Sequence, residues 1–462
     1  MTEVEAVLYA TETAVKGSAI SAHATSEATA PLHVRFHKLK SPSQELARSS
    51  HTLNIVKGKA YIFGGDLASG SSDPYMHVIT LPADVSLGDV DYNRIEPKTA
   101  GNRPLEKYAD QADPNADRTN HIPDSRAGHA SAVVGEVIYV FGGRYPSESS
   151  AHLLREQGIM HAFDTMSETW STIHPHPTKC SSGVPKARIY ASMASTEHPL
   201  PGTAEEASVR EHGTLFLHGG YDYHGTLMRD IWAFDVAGRV WSQWPSVPDV
   251  GAEEVPGEGK ICRTESRLYR VGDGFGKVDW LDLVIDTIDD FSGKGEWGVG
   301  PKSGTWGMTV EKTQEKSEAK VATEPLKTPL TKVDDIPVSR KGYGMLPITT
   351  GAGREYLFML LGEDGPGSMV RDVWSFQIRG ETPAILKDTI RSAVKRQTGE
   401  KTWARSVVVE STKDEGPLEV QAGLSRFAVD DWRDMGAGRV VLWGGKNASG
   451  QHIADGWLLE IE

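Results

Sequence analysis

Apolar and polar residues alternate along short stretches of this chain, and these stretches recur with the same neighbours. One stretch starts at Arg48 and reads RSSHTLNIVKGKAYIFGG, and another starts at Arg126 and reads RAGHASAVVGEVIYVFGG. Alternation with a period of two on both sides of a short glycine-containing turn predicts a β-hairpin. Both hairpins end in a glycine pair, which indicates an internal repeat.

Six such units can be aligned, although they differ in completeness. The third has Arg188-IYASM, a long interruption and TLFLHGG, and the fourth is the shortened Arg263-TESRLYRVGDG. The fifth has Arg340-KGYGMLPIT followed by YLFMLLGED, and the sixth has Arg426-FAV followed by RVVLWGG. In this alignment an arginine opens the first strand of every unit.

A second hairpin follows each glycine pair. The clearest are MHAFDTMSETWSTI (160–173) and IWAFDVAGRVWSQW (231–244), in which an aromatic residue precedes Trp170 or Trp241 by seven positions. Two consecutive hairpins predict a four-stranded antiparallel meander for each unit. The glycine pair is expected where a side chain would collide with the next unit, and the tryptophan is expected to pack between units.

A hydrophobic run into Gly-Gly, followed by a spaced aromatic residue and Trp, resembles the Kelch repeat over about residues 31–462. The resemblance implies an all-β fold, a six-bladed Kelch-type β-propeller closed by an N-terminal strand. Because the last unit stops after GWLLEIE, segment 31–40 is expected to pair with 455–461, with Phe36 at the tryptophan position. Such closure removes open sheet edges. Residues 1–30 are expected to be a disordered tail.

The predicted insertions are mostly on one face of the ring. The blade-to-blade connections and the loops between strands two and three share that face, whereas the other two kinds of loop emerge on the opposite face. The long connections are about 94–124, 173–187, 245–262, 298–339 and 404–424, and the opposite face receives mainly 196–213 and 380–400. Loops on one face of a rigid scaffold are usually the working surface. Segment 298–339, rich in Lys, Glu, Thr and Pro, is predicted to be a mobile flap or linker.

The strand-opening arginines and their neighbours are the candidate ligand-binding residues, since strand one lines the channel of a propeller. They are Arg48, His51, Arg126, His129, Arg188, Tyr190, Arg263, Arg340, Tyr343 and Arg426, with Asp66, Arg144, Tyr221, Asp222, Glu363 and Lys446 at the rim. Planar guanidinium donors suit a carboxylate, sulfate or phosphate. The alternative is structural, with each arginine paired to an acidic residue or to strand-end carbonyls of the adjacent blade.

Charge and composition narrow the range of partners. The formal net charge is −14, which argues against a binder of duplex nucleic acid or of an anionic membrane. Two cysteines and an N-terminal stretch without a basic segment before an apolar core lead us to expect a cytoplasmic protein. The expected partner is therefore a protein or a small acidic ligand.

Motifs of common catalytic sites are absent from the sequence, which contains no GxSxG, HExxH, CxxC or Walker A pattern. The leading hypothesis is a binding or scaffold protein with its site at the mouth of the propeller, and whether it is also an enzyme stays open. The set His218, Asp222, Tyr223 and His224 contains metal-ligand types, but a core or rim histidine is the simpler interpretation of His218. Galactose oxidase shares propeller repeats, but it needs a Cys–Tyr cross-link that nothing in this sequence indicates.

A narrower resemblance provides the alternative. The stretch from Phe36-HKL through the first repeat to HVITL looks like the Kelch proteins of fungi and plants that include nitrile-specifier and thiocyanate-forming proteins. It implies a lyase that acts on a small anionic substrate with Fe²⁺ held by Glu-x-x-x-Asp-x-x-x-His. Here Glu106 precedes Asp110 and Glu410 precedes Asp414, but the third positions are Pro114 and Leu418. Asp117 and His121, in the same loop, are the remaining residues that could hold a divalent metal ion. Apart from this iron alternative, no cofactor is expected.

Overall fold

Six antiparallel β-sheets make up nearly all of the regular structure in the computed structural model. It describes residues 31–70, 73–82, 90–99, 121–146, 152–200, 212–246, 258–272, 277–285, 299–301, 307–308, 336–350, 354–378, 401–409, 423–432, 436 and 438–462. The predicted tail 1–30, most of segment 298–339 and much of the other predicted insertions lie outside these residues. The described part contains one short 3₁₀ turn, Gln44–Leu46, and no helix that could cross a membrane.

Each sheet is a four-stranded meander, as the double-hairpin pattern predicts. From the innermost strand outward, the blades are Thr52–Val56, Lys59–Phe63, Met76–Thr80 and Asp91–Ile95 (blade 1); Ala130–Val134, Val137–Phe141, Met160–Asp164 and Thr169–Ile173 (blade 2); Ser192–Thr196, Thr214–His218, Ile231–Asp235 and Val240–Trp244 (blade 3); Lys260–Arg263, Arg267–Val271, Val278–Ile285 and Val299–Pro301 (blade 4); Gly344–Thr349, Glu355–Leu360, Val373–Gln377 and Trp403–Arg405 (blade 5); and Ala428–Asp431, Arg439–Trp443, Gly456–Ile461 and His33–Leu39 (blade 6).

Six short strands supplement these blades in the described residues. Gly307–Met308 pairs with the third strand of blade 4, and Val407–Val409 lies parallel to His33–Leu39 outside blade 6. Arg48–Ser49 pairs with Asp66–Leu67, and Glu363–Gly365 pairs with Ser368–Met369. The parallel strand is a feature that the repeat pattern did not predict, because it comes from a blade connection.

The innermost strands form a closed circle around a central channel. Each contacts the innermost strands of the two neighbouring blades, and that of blade 6 contacts that of blade 1. The fold is therefore a six-bladed β-propeller, as predicted. Closure by the N-terminal strand is also confirmed, because His33–Leu39 pairs antiparallel with Gly456–Ile461 and Phe36 lies opposite Leu459.

The apolar core lies largely between blades, where the aromatic residues that recur at the same spacing in the repeats fill the gaps. Trp170 of blade 2 is fully buried, and its ring centroid is 4.8 Å from that of Phe63 in blade 1. Trp241 of blade 3 likewise packs 5.6 Å from Phe141 of blade 2. The predicted position of these tryptophans between blades is confirmed.

The glycine pairs bring neighbouring blades into backbone contact. At Gly142, with φ +68°, a Cβ would lie 2.7 Å from the carbonyl oxygen of Arg188 in the next blade. The amide of Gly143 donates a 2.9 Å hydrogen bond to that same carbonyl. A side chain here would separate two blades that the hydrogen bond holds together, so the collision that the sequence predicts is a real constraint.

The structure corrects the predicted positions of two arginines. Arg48, Arg126, Arg188 and Arg340 each precede their innermost strand by four residues, whereas Arg263 is the last residue of the strand Lys260–Arg263. Arg426 lies only two residues before Ala428–Asp431, and Leu424 takes the position four residues before it. Alternation defines the faces of a strand but not where the strand begins, which is why these two units were misaligned.

Candidate functional site

Four of the predicted arginines form the same buried arrangement, which we call the arginine clamp. Arg48, Arg126, Arg188 and Arg340 are at most 1% exposed. Each donates to a carbonyl at the end of the second strand of its own blade and to a carboxylate that precedes the third strand. The carbonyls are those of Gly64, Gly142, Gly219 and Leu361, and the carboxylates are those of Asp73, Glu156, Asp230 and Asp372.

Blade 2 has the most complete of these clamps. Arg126 donates to Gly142 O at 3.0 Å and to both carboxylate oxygens of Glu156 at 2.9 and 2.8 Å, while His161 Nε2 lies 2.7 Å from Glu156 Oε1. Burial by itself would raise the pKa of Glu156, but His161 and Arg126 lower it to about 2. The clamp therefore joins three strands of one blade through charged hydrogen bonds.

Sequence reasoning missed these carboxylates. The alternative interpretation of the sequence paired each arginine with a group on the adjacent blade, whereas the carboxylate partner of each clamp arginine lies on the same blade. The available signal was an acidic residue between each glycine pair and the third strand, but its spacing varies from blade to blade. The assignment of the clamp arginines as ligand-binding residues stays a prediction, and their contacts describe a structural role.

The two predicted histidines lie between blades. His51 and His129 are each 5% exposed. The ring of His129 is 5.4 Å from that of Phe63 in blade 1, and its Nε2 is 2.9 Å from Thr52 Oγ1. Burial and the nearby Arg126 lower the pKa of His129 to about 3, which keeps the ring neutral. We expected both histidines beside the arginines at the mouth, but they fill the space over the glycine pair of the preceding blade.

Above the innermost strands, five residues with left-handed backbone form a ring of amide hydrogen bonds around the channel. They are Ser50, Gly128, Tyr190, Gly342 and Arg426, with φ values of 57°, 67°, 56°, 59° and 57°. Within this ring Gly128 donates to Ser50, Tyr190 donates to Gly128, Ser50 donates to Arg426 and Arg426 donates to Gly342. Each of these bonds joins two neighbouring blades.

In blade 4 a side-chain carboxylate replaces the backbone carbonyl that accepts the ring hydrogen bond in the other blades. The amide of Gly342 donates to Glu258 Oε2 at 2.9 Å instead of to a backbone carbonyl. The hydroxyl of Tyr343, which is 3% exposed, donates to Glu258 O at 2.7 Å and holds this segment in place. Tyr343 thus supports the ring from within the core.

Arg426 belongs to this ring, and its side chain contacts two other blades. Its guanidinium carbon lies 3.9 Å from the ring centroid of Tyr190 in blade 3, and one guanidinium nitrogen pairs with Glu258 Oε1 at 2.8 Å. The side chain of Arg426 is 18% exposed, whereas that of Glu258 is 1% exposed. Burial would raise the pKa of Glu258, but Arg426, Lys260 and the Gly342 amide together lower it.

The predicted rim residues surround this cluster. Asp66, Arg144, Tyr221, Glu363 and Lys446 occupy equivalent positions, each bridged to the residue before the ring. Asp66 accepts two hydrogen bonds from Arg144, at 3.0 and 2.7 Å, and thereby links blades 1 and 2. Asp222 is one residue further out, where its carboxylate accepts from the amides of His224 and Thr226.

The inner side chains of this mouth are positive on balance, although the whole chain carries a charge of −14. Five cationic side chains oppose three carboxylates among the ring residues, the residues before them, the equivalent rim positions and the blade 4 residues Glu258 and Lys260, and Asp222 lies one residue further out. The cations are Arg144, Lys260, Lys341, Arg426 and Lys446, and the carboxylates are Asp66, Glu258 and Glu363. Such a local excess attracts anions despite the net charge of the protein.

The family model that matches this chain covers one blade. Residues 125–175 match the Kelch motif, and they span blade 2 from the residue before Arg126 to two residues past the end of its outermost strand. The chain is a six-bladed β-propeller with a Kelch motif. A solved structure titled "Structure of YjhT" is similar over 95% of this chain and 99% of that one, with 12% sequence identity and a TM-score of 0.46.

The propeller separates the residues of the predicted metal-ligand cluster. His218 is 1% exposed, its Nε2 accepts from Arg270 Nε at 2.9 Å, and burial lowers its pKa to about 3. Asp222 and His224, in contrast, lie in an exposed loop. The described residues include no group of three His, Cys, Asp or Glu side chains that could hold a metal ion. Asp117 and the Glu-x-x-x-Asp segments lie outside them, and those segments lack the third ligand.

Arg263 is far from this mouth, because it lies at the opposite end of the channel. It ends the innermost strand of blade 4, where the chain turns into the second strand. Two of the predicted ligand-binding residues, Tyr190 and Arg426, stack on each other across the channel. A β-propeller fold is compatible with a binding or scaffolding role in general, and the role of this one has to be argued from its site.

Proposed function

We propose that this protein is a binding or scaffold propeller whose mouth, on the face of the glycine pairs, takes an anionic group. The ligand is a small acid or an acidic segment of a partner protein, and its negative group would contact Arg426. The observation that carries the proposal is Arg426 itself, a partly exposed guanidinium at the channel axis. The clamp arginines, by contrast, are buried and bonded to their own carboxylates.

The surroundings of Arg426 support this role in two ways. Stacking on Tyr190 orients the guanidinium plane, and a fixed planar donor pairs well with a carboxylate or sulfate. The ion pair with Glu258 uses one edge of the guanidinium and keeps it charged. Lys341 and Lys446, two further cations of the mouth, add long-range attraction for an anion.

The test measures binding of two probes, sulfate and an acetylated hexaglutamate peptide, by isothermal titration calorimetry. Arg426→Gln should weaken the affinity of the preferred probe about tenfold, as expected for loss of a charge-assisted hydrogen bond. Arg426→Lys keeps the charge but not the planar donor, so its affinity should be intermediate. The affinity of the unmodified protein should also fall with added salt.

Arg405→Gln is the matched control, because Arg405 is exposed on the outermost strand of blade 5. It should bind both probes as the unmodified protein does. Melting temperatures of all variants separate lost affinity from lost folding. Equal affinities for Arg426→Gln and Arg405→Gln, with both proteins folded, would contradict the proposal.

A further inference from the structure

One lysine lies directly below the ring of amide hydrogen bonds, on the innermost strand of blade 4. Lys260 is the first residue of that strand and comes two residues after Glu258. The first residues of the innermost strands in the other five blades are small, namely Thr52, Ala130, Ser192, Gly344 and Ala428. Among the six described innermost strands, that of blade 4 is thus the one that places a long cationic side chain at this level of the mouth.

The amino group of Lys260 has no counter-ion of its own. Its Nζ lies 5.9 Å from the ring centroid of Tyr343 in blade 5, and the residue is partly exposed. Both carboxylate oxygens of the neighbouring Glu258 are occupied, Oε1 by Arg426 and Oε2 by the amide of Gly342. No carboxylate of the described residues lies within ion-pairing distance of Lys260 Nζ. The amine is therefore available to a ligand that enters from the mouth.

The surroundings of Lys260 favour its neutral form. Burial lowers the pKa of Lys260 against the opposing charge of Glu258, and the positive charge of Arg426 lowers it further. Such a lysine carries more neutral amine near pH 7 than an exposed lysine does, and the neutral amine is the form that attacks a carbonyl carbon. Burial works against the charge of Arg426, but Glu258 raises its pKa, so the guanidinium stays protonated. A nucleophilic amine and a charged guanidinium thus lie close together.

These two groups suit a ligand that has a carboxylate and an electrophilic carbonyl on adjacent carbon atoms. We propose that Lys260 forms an imine with a 2-oxo acid whose carboxylate pairs with Arg426. The planar guanidinium would fix the carboxylate and so hold the neighbouring carbonyl carbon near the amine. This inference rests on the proposed function, because it takes Arg426 as the residue that holds the anionic group.

The reaction consumes no oxidant or reductant. The lone pair of Lys260 Nζ forms a C–N bond with the carbonyl carbon, the π electrons of the carbonyl move to its oxygen, and one amine proton is transferred to that oxygen. The resulting carbinolamine loses its hydroxyl together with the second amine proton as water, while the nitrogen lone pair completes the C=N bond. The imine and one water molecule are the only products, so the modification is reversible.

The first test traps the imine on the unmodified full chain with pyruvate and sodium cyanoborohydride, which reduces an imine to a stable secondary amine. Peptide mapping by mass spectrometry should locate the adduct on Lys260 in preference to exposed lysines such as Lys59. The preference should be largest near pH 7 and shrink at higher pH, because the exposed amines then also lose their protons. Labelling of Lys260 no faster than that of Lys59 would overturn the proposal.

The second test removes the carboxylate contact from either side. Pyruvamide, which keeps the carbonyl but has no negative charge, should label Lys260 about tenfold more slowly than pyruvate, and Arg426→Gln should slow labelling by pyruvate by a similar factor. Arg426→Gln should not slow labelling by pyruvamide further. Lys260→Arg should abolish the adduct, whereas Lys59→Arg, the matched control at an exposed position of blade 1, should leave it unchanged. Melting temperatures show whether each variant is folded.

The outcomes separate this inference from the proposed function. If pyruvate bound in calorimetry with a dependence on Arg426 but left no adduct on Lys260, the imine would be wrong and the anion-binding mouth would stand. Equal labelling of Lys260 by pyruvate and pyruvamide in folded protein would overturn the assignment of a 2-oxo acid, whatever the affinities for sulfate and hexaglutamate.

Discussion

At the scale of single residues, the main feature is the division of the arginines into two kinds. Those of the clamps are fully buried and bonded to a carboxylate in the same blade, as Arg126 is to Glu156. Arg426 instead reaches across the channel and keeps part of its surface accessible. Removing one partner of a buried ion pair leaves an uncompensated charge, so the clamps are expected to affect folding before they affect binding.

We predict that Glu156→Gln lowers the free energy of unfolding by about 3 kcal/mol at pH 7, because the buried Arg126 loses its counter-charge. The pKa of Glu156 is lowered from 4.5 to about 2 in the folded protein. Its contribution is thus complete above pH 4.5 and is lost as the pH falls toward 2, which makes the unmodified protein less stable in acid. The variant should show a smaller change over that range. Denaturant unfolding at several pH values is the measurement.

Glu168→Gln is the control for this prediction. Glu168 lies in an exposed turn of the same blade and pairs with Lys98 at 3.7 Å, so its replacement should change stability by less than about 1 kcal/mol. If Glu156→Gln and Glu168→Gln had the same small effect, the clamp would contribute little to folding.

At the scale of elements, the connection between blades depends on the glycine pairs. In blades 1 and 2 the first glycine of the pair has positive φ and lies against the backbone of the next blade, whereas the glycine of the first hairpin turn has positive φ but open space around it. Gly142 and Gly135 of blade 2 are one example of each kind, with φ values of +68° and +58°. A substitution at Gly135 therefore reports the cost of backbone strain alone, whereas one at Gly142 also reports the cost of disturbing the packing between blades.

We predict that Gly142→Ala destabilises the propeller considerably more than Gly135→Ala does. Both substitutions impose a left-handed conformation on alanine, at about 1 kcal/mol. Only the alanine at position 142 would also meet the Arg188 carbonyl, at 2.7 Å, and push blades 2 and 3 apart. Thermal unfolding of the two variants measures the difference, and equal melting temperatures would show that the blades can adjust.

At the scale of the whole molecule, stability depends on closing the ring. Blade 6 takes its outermost strand from residues 33–39 and its other three from residues 428–461, so the two ends of the chain meet in one sheet. Val34 and Phe36 are buried in the same core cluster as Trp457 and Leu459. Without this strand, the cluster would be exposed along an open edge.

Deletion of residues 1–40 is predicted to lower the melting temperature by several degrees and to promote aggregation, since it removes the closing strand and its buried side chains. Deletion of residues 1–28, which leaves the strand intact, is the control and should have little effect. The measurement is thermal unfolding with light scattering. An unchanged melting temperature after removal of 1–40 would mean that the ring stays closed without its N-terminal strand.

The amino-acid sequence by itself determined the number of blades, the four-stranded meanders, the closing strand and the roles of the glycine pairs and tryptophans. These features follow from local periodicity and from spacings that repeat, such as Phe163 to Trp170. The rim residues Asp66 and Arg144 were also predictable, because they directly follow the glycines.

Only the tertiary structure decided the partners of the arginines. The clamp carboxylates follow loops of variable length, Arg263 lies at the far end of its strand, and Arg426 meets Tyr190 and Glu258 across the channel. Contacts between distant segments depend on strand register and on packing between blades, which a pattern within one repeat does not contain.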